Sequence, residues 1–296
     1  EPYKGTLLDL SGISSDTILE KAGMHPRGVA PAETAAITVF IDLGMYYCWW
    51  SAWAWLSDAQ GFCIDYGAIA VPQERQSSPL AILGALREFR GDVLMSGWQC
   101  GGGERRHDLC AVDSGYQADI AYEFVAESGV NSYIAAKGLG TARDQAGWRS
   151  PKPGKDCQAG NEWALVRQPN GMALLNVNTD FWKAQVHQGF AAPPSSAGSL
   201  MLYRAQRRDH MTFARQIVAE KQQEEFVPGR GRRLYWDKIR RDNHYLDCAV
   251  GARVAADVLG ITLIGGEPAA APAPRARRQR EEGKSWIDTQ DNWMGK

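Results

Sequence analysis

Three strand-like runs crowded into residues 36–71, the first two alternating at period two and only a few residues between one run and the next, leave this chain few folds to choose from. In the run 36–43, Ile37, Val39 and Ile41 alternate with Thr38, Phe40 and Asp42, so the two sets face opposite sides of a sheet. The run 46–56 places Tyr47, Trp49, Trp53 and Trp55 at the same period, and 62–71 is a third run. The short Gly-containing turns between them predict consecutive antiparallel neighbours. The chain has 11 Trp. Because several lie in one strand, sheet packing explains them more simply than a ligand cage does.

The next elements change the connection. A helix is predicted over 79–89, followed by a loop around Gly101-Gly102-Gly103. The buried run Leu109-Cys110-Ala111-Val112-Asp113 stops at Ser114-Gly115; an amphipathic helix fills 116–127, and 132–137 is again a strand. Strand, helix, strand requires parallel pairing through a crossover. A hairpin follows, with strands 163–167 and 173–177 around Pro169-Asn170-Gly171, then a helix from about 179 and a loop over 191–198. A strand at 200–203, a helix near 210–221 and a last helix at 243–259, stopped by Gly260, complete the body. The fold class is α/β, an RNase H-like mixed central sheet flanked by helices. Residues 1–35 form a lead-in that packs over the body, 36–264 the domain, and 265–296 a tail, Ala/Pro-rich and then Arg-rich, disordered when free. The start at Glu1-Pro2, without Met, suits the C-terminal part of something longer.

A formal net charge of -1 excludes a surface that is basic all over, so any nucleic-acid contact has to be a local patch. The six cysteines form no C-x-x-C pair and sit mostly in apolar runs, which fits a reducing compartment. Cys100, His107 and Cys110 are zinc-ligand types, but Cys110 falls in a strand and no fourth ligand is evident. No apolar run is long enough to span a bilayer. No G-x-x-x-x-G-K-[ST] loop is present, so this chain alone is not expected to hydrolyse ATP.

The chemistry lies in three carboxylates. In a sheet of this outline the end of the first strand and the end of the next parallel strand are neighbours, so Asp42 and Asp113 converge. Asp247 opens the last helix within Asn243-His244-Tyr245-Leu246-Asp247-Cys248, with Val250, Val254 and Val258 on its own face. Packing that face on the sheet lowers Asp247 onto the strand ends, and Gly251 removes a side chain at the point of approach. Singly, each aspartate also has a structural role open to it, as a turn former or a helix-dipole partner. Together they suit hard divalent cations and phosphodiester chemistry.

These segments resemble the C-terminal nuclease domain of the tailed-phage large terminase subunit, in its lambda-like GpA branch. The resemblance runs over about 36–260 and rests on Ile37 to Asp42, Ala111-Val112-Asp113-Ser114-Gly115, Ala136-Lys137-Gly138, Asn178-Thr179-Asp180-x-x-Lys183 and the His-x-Leu-Asp-Cys helix. It implies that Asp42, Asp113 and Asp247 hold two divalent cations, Mg²⁺ or Mn²⁺, about 4 Å apart, with Asp42 bridging them. The implied activity is endonucleolytic cutting of concatemeric double-stranded DNA in the host cytoplasm. The implied partners are an ATPase domain upstream in the full-length chain and the small terminase subunit and portal or procapsid, reached through the tail. Lys137 either nears the scissile phosphate or is a solvated strand end. Asp180 and Lys183 either support the site or form an (i, i+3) surface pair. His244 either contacts the site or packs locally. Arg230, Arg232, Arg233, Lys238, Arg240 and Arg241, interleaved with Tyr235 and Trp236, read either as a DNA-backbone arm or as a solvated loop. Two other function classes remain: a non-cleaving module that docks motor to portal, and another RNase H-like nuclease of resolvase or transposase type.

Overall fold

The computed structural model describes residues 12–72, 79–140, 148–227 and 231–262. The expected tail and Arg230 lie outside the described residues. In chain order the strands are β1 Ala22–Pro26, β2 Val29–Ala30, β3 Ala36–Asp42, β4 Tyr47–Trp55, β5 Gly61–Ala70, β6 Trp98–Cys100, β7 Gly103–Arg105, β8 Leu109–Asp113, β9 Tyr133–Leu139, β10 Cys157–Ala159, β11 Trp163–Arg167, β12 Ala173–Asn178, β13 Leu200–Arg204, β14 Glu220–Val227 and β15 Gly231–Lys238. The helices are α1 Ser15–Leu19, α2 Pro79–Phe89, α3 Ala118–Ser128, α4 Thr179–Ala191, α5 Met211–Ile217 and α6 His244–Val258.

One mixed sheet of 10 strands, ordered β1-β13-β5-β4-β3-β8-β9-β12-β11-β10, dominates the molecule. Strands β3, β4 and β5 pair antiparallel, as their short turns require. Strand β8 pairs parallel to both β3 and β9, with α3 as the crossover. The α/β architecture expected from the sequence is therefore present, a central mixed sheet with helices on both faces.

Alternation along β3 divides the core in two. Ile37, Val39 and Ile41 bury themselves with Ile82, Leu86 and Phe124 from α2 and α3. Phe40 faces the other way, into a second cluster with Trp53, Trp55 and the apolar residues of α4, α5 and α6. Helix α6 is buried on nearly every side from Tyr245 to Asp257, its largely Ala and Val surface packed into the core and its buried Arg253 donating to the Ala59 carbonyl at 2.8 Å. It lies close against β3: a Cβ on Gly251 would fall inside the Phe40 ring. There the hydroxyl of Thr38 donates to the carbonyl of Ala252 at 2.8 Å and accepts from Trp55 Nε1 at 2.7 Å. The contact between helix and sheet is thus hydrogen-bonded as well as tight.

Two expectations need correction. Part of the lead-in joins the sheet: β1 pairs parallel with β13 as an edge strand, and its closing Pro26 suits an edge, where no ladder donor is missed. The helix expected near 210–221 ends at Ile217, and Glu220 begins a hairpin of β14 with β15. Glu220 to Glu225 is polar throughout, so no apolar period distinguishes strand from helix there.

Candidate active site

One residue past the Ile41–Val112 pair of the parallel β3–β8 ladder, Asp42 and Asp113 end adjacent strands. Neighbouring strands run about 4.8 Å apart, so register alone forces these two carboxylates together. The absent side chain at Gly251 lets α6 settle on β3, which brings Asp247, one turn earlier on the helix, over the strand ends. All three aspartates line one cleft of about 220 Å³, together with Lys137, Gly138, Thr179 and Val250.

The three are held differently. Asp113 accepts from the backbone N–H groups of Ser114, Gly115 and Tyr116, yet burial, joined by the charge of Asp42, pushes its pKa up to about 6. Asp42 Oδ2 lies 2.6 Å from His244 Nδ1. His244 stacks flat on Trp49, 5.2 Å between ring centroids, and its pKa is raised first by the Asp42 hydrogen bond. Asp247 Oδ2 accepts from Asn243 Nδ2 at 2.8 Å, and Oδ1 lies 4.0 Å from Lys183 Nζ. Burial pushes the Asp247 pKa up to about 7, against the opposing charge of Lys183 and with Asp42, Glu220 and Asp113 adding to it.

Behind Asp247 is a fourth carboxylate that the sequence reading missed. Glu220 is buried and pairs with Lys183 Nζ at 2.7 Å, while its other oxygen accepts from Asn243 Nδ2 at 2.7 Å. Burial disfavours the Lys183 ammonium, but the Asp247 and Glu220 carboxylates outweigh it and raise its pKa. Lys183 is therefore not half of a surface pair with Asp180. Helix α4 turns it inward beneath the hairpin, where Trp236 Nε1 donates to the Asp180 carbonyl at 3.0 Å. The only trace of Glu220 in the sequence is its place at the start of a charged stretch, which resembles a solvated face.

The remaining candidates are dispersed. Lys137 is exposed on the cleft wall. His244 is in the site, on Asp42. Lys238 donates to Asn243 Oδ1 at 2.8 Å, and Arg240 and Arg241 are exposed between β15 and α6. Arg232 and Arg233 lie in β15 opposite Phe226 and Glu225, so the expected loop is one strand of a hairpin. Among the described residues no three His, Cys, Asp or Glu side chains already close on one point as an ion cage. That removes the support for zinc at Cys100, His107 and Cys110; burial drives the Cys110 thiol strongly toward its protonated form. The donor set in the cleft nevertheless fits a hard cation. It is all carboxylate oxygen, and Asp113 and Asp247 have pKa values raised by burial and by neighbouring carboxylates, Asp42 among them in both cases, an excess of negative charge that a divalent ion relieves.

The chain matches the family model for the endonuclease domain of the terminase large subunit gpA over residues 1–267. It is 24% identical over 238 residues to the terminase large subunit of Escherichia phage lambda, an alignment covering 78% of this chain and 33% of that protein. The chain thus spans about a third of the length of that curated relative. The match to the family model runs through the whole central sheet, the carboxylate cleft and α6, and this chain belongs to the family of terminase large subunit gpA endonuclease domains.

Proposed function

We propose that this domain is the metal-dependent endonuclease that cuts concatemeric double-stranded viral DNA for packaging, on an RNase H-like sheet and in the host cytoplasm. The observation that carries this reading is the meeting of Asp42, Asp113 and Asp247 in one cleft. These three residues would hold the divalent cations, Mg²⁺ or Mn²⁺. A bound cation there lowers the pKa of a water and shields charge developing on the phosphate oxygens.

The chain's own residues orient the reactants. His244 donates to Asp42 from a ring fixed flat against Trp49, which holds the Asp42 carboxylate at the strand end. Three backbone N–H groups fix Asp113. Lys137 offers an exposed ammonium to a phosphate entering past β9, and Arg240 and Arg241 add charge beside α6. Contacts of this kind bind backbone without reading sequence. The upstream ATPase, the small subunit and the portal belong to the whole packaging machine and are proposed as partners on the same footing.

The test is nicking of supercoiled plasmid in Mn²⁺ by this chain and by its Asp42→Asn form. The parent is expected to nick and the variant to lose at least about 100-fold, since a metal ligand is removed. An intact plasmid with the parent, at protein concentrations that shift its mobility, would instead favour a docking module.

A further inference from the structure

Asn243 occupies the N-cap of α6 without capping it. Asn is among the strongest N-cap residues because its side-chain oxygen accepts from the N2 or N3 amide, an interaction worth about 1 kcal/mol. Here the side chain makes no such bond. The second amide of the helix, Tyr245 N–H, is taken instead by Gln216 Oε1 of α5 at 3.0 Å. That exchange leaves Asn243 free, and all three of its recorded side-chain bonds go elsewhere. Nδ2 donates to Glu220 Oε1 at 2.7 Å and to Asp247 Oδ2 at 2.8 Å, and Oδ1 accepts from Lys238 Nζ at 2.8 Å.

The geometry is that of a clamp. Glu220 and Lys238 are the paired residues at the root of the β14–β15 hairpin, so one amide ties both hairpin strands to one oxygen of Asp247. The other oxygen faces Lys183, itself fixed on Glu220. The Asn243 hydrogen bond at one oxygen and the Lys183 charge at the other restrain rotation of the Asp247 carboxylate, and neither contact comes from α6 beyond its cap. We propose that Asn243 is the positioning residue for Asp247 in the nuclease reaction, diverted from capping α6 to lock that carboxylate against the hairpin root. This rests on the function proposed above.

Asn243→Ser separates positioning from folding. Serine keeps a good capping group but is too short to reach Glu220 and Asp247. With the full 296-residue chain, Mn²⁺ binding is measured by calorimetry without DNA, beside thermal melting and steady-state plasmid nicking. The variant is expected to melt within a few degrees of the parent and to bind Mn²⁺ about 10–100-fold more weakly, the usual effect of losing a partner behind a ligand. Its kcat is expected to fall by a similar factor with KM for plasmid unchanged. Gln216→Ala is the control: it removes the helix-end bond, so melting should fall while Mn²⁺ affinity holds. Parent-like Mn²⁺ affinity in Asn243→Ser overturns the proposal, as does an equal loss of affinity in Gln216→Ala, which would trace the effect to helix fraying. A parent that binds Mn²⁺ without nicking would refute the nuclease reading and leave the affinity comparison to decide this one.

Discussion

Lys183 offers the sharpest test of how this site is held. Its ammonium lies 2.7 Å from Glu220, with side-chain exposures of 11% and 8%, and 4.0 Å from Asp247. At an effective dielectric of about 20 those separations correspond to attractions of about 6 and about 4 kcal/mol. Desolvation of Lys183 and Glu220 offsets much of this, and the attraction to the 35% exposed Asp247 side chain is screened by water, so the pair adds little net stability over an apolar core. Removing one partner is another matter, because Glu220 stays buried with its counter-charge gone. Lys183→Met is therefore predicted to cost about 3–5 kcal/mol, a large share of the roughly 5–15 kcal/mol that holds a domain folded. In urea at pH 8, with a slope of about 2–3 kcal/mol per molar, the midpoint should fall by about 1–2.5 M. Lys183→Met combined with Glu220→Gln should recover more than half of that loss, since the stranded charge goes too. A single variant costing under about 1 kcal/mol, or a double variant no more stable than the single, would refute the argument that this pair is desolvated.

Gly251→Ala places a methyl inside the Phe40 ring; overpacking of about 1–3 kcal/mol should outweigh the roughly 1 kcal/mol gain in helix propensity, lowering the melting temperature. Mn²⁺ affinity should rise with pH through the window set by Asp113 at about 6 and Asp247 at about 7, because a ligating carboxylate must first lose its proton; calorimetry between pH 5.5 and 8 that finds a flat affinity would contradict those shifts. Without metal, the same two groups should make stability fall as pH rises. Their folded pKa values lie above the ordinary aspartate value of 3.8, so the stabilisation they give is complete below about pH 4 and lost as pH climbs through 6 to 7. His244, whose pKa is also raised, acts in the same direction, and chemical denaturation of metal-free protein across that range measures the slope.

How much was legible in the sequence followed from how local each signal was. The alternation in β3 and β4 fixed which side chains face α6, and strand–helix–strand order fixed β8 beside β3, so the meeting of Asp42 and Asp113 could be read before any coordinate. Gly251 was legible as a point of close approach because a glycine inside an apolar helix has few other reasons to be there. The hairpin was not legible: Glu220 to Glu225 carries no apolar period, and the residues that bury its root, Lys183 and Asn243, come from segments 37 and 23 positions away. Spacing along α4 makes Lys183 look like a partner for Asp180, whereas its buried partner is Glu220, at the root of a hairpin that packs on α4 through Trp236. Asn243 was visible as part of a motif, but the diversion of its side chain depended on Gln216, which nothing local marks.

The placement of α6 also sets a clock on synthesis. The Thr38 hydroxyl that meets the α6 backbone is made 214 residues before its acceptor, and Asp42 202 residues before His244. At about 5–20 residues per second, roughly 10–40 s pass on the ribosome between the first site aspartate and the last. During that interval the sheet lacks α6 on one face and the carboxylate pair lacks its third member. If the three aspartates act together as proposed, a nascent chain of this kind stays inactive until α6 is made, because the helix that closes over β3 also carries the third carboxylate.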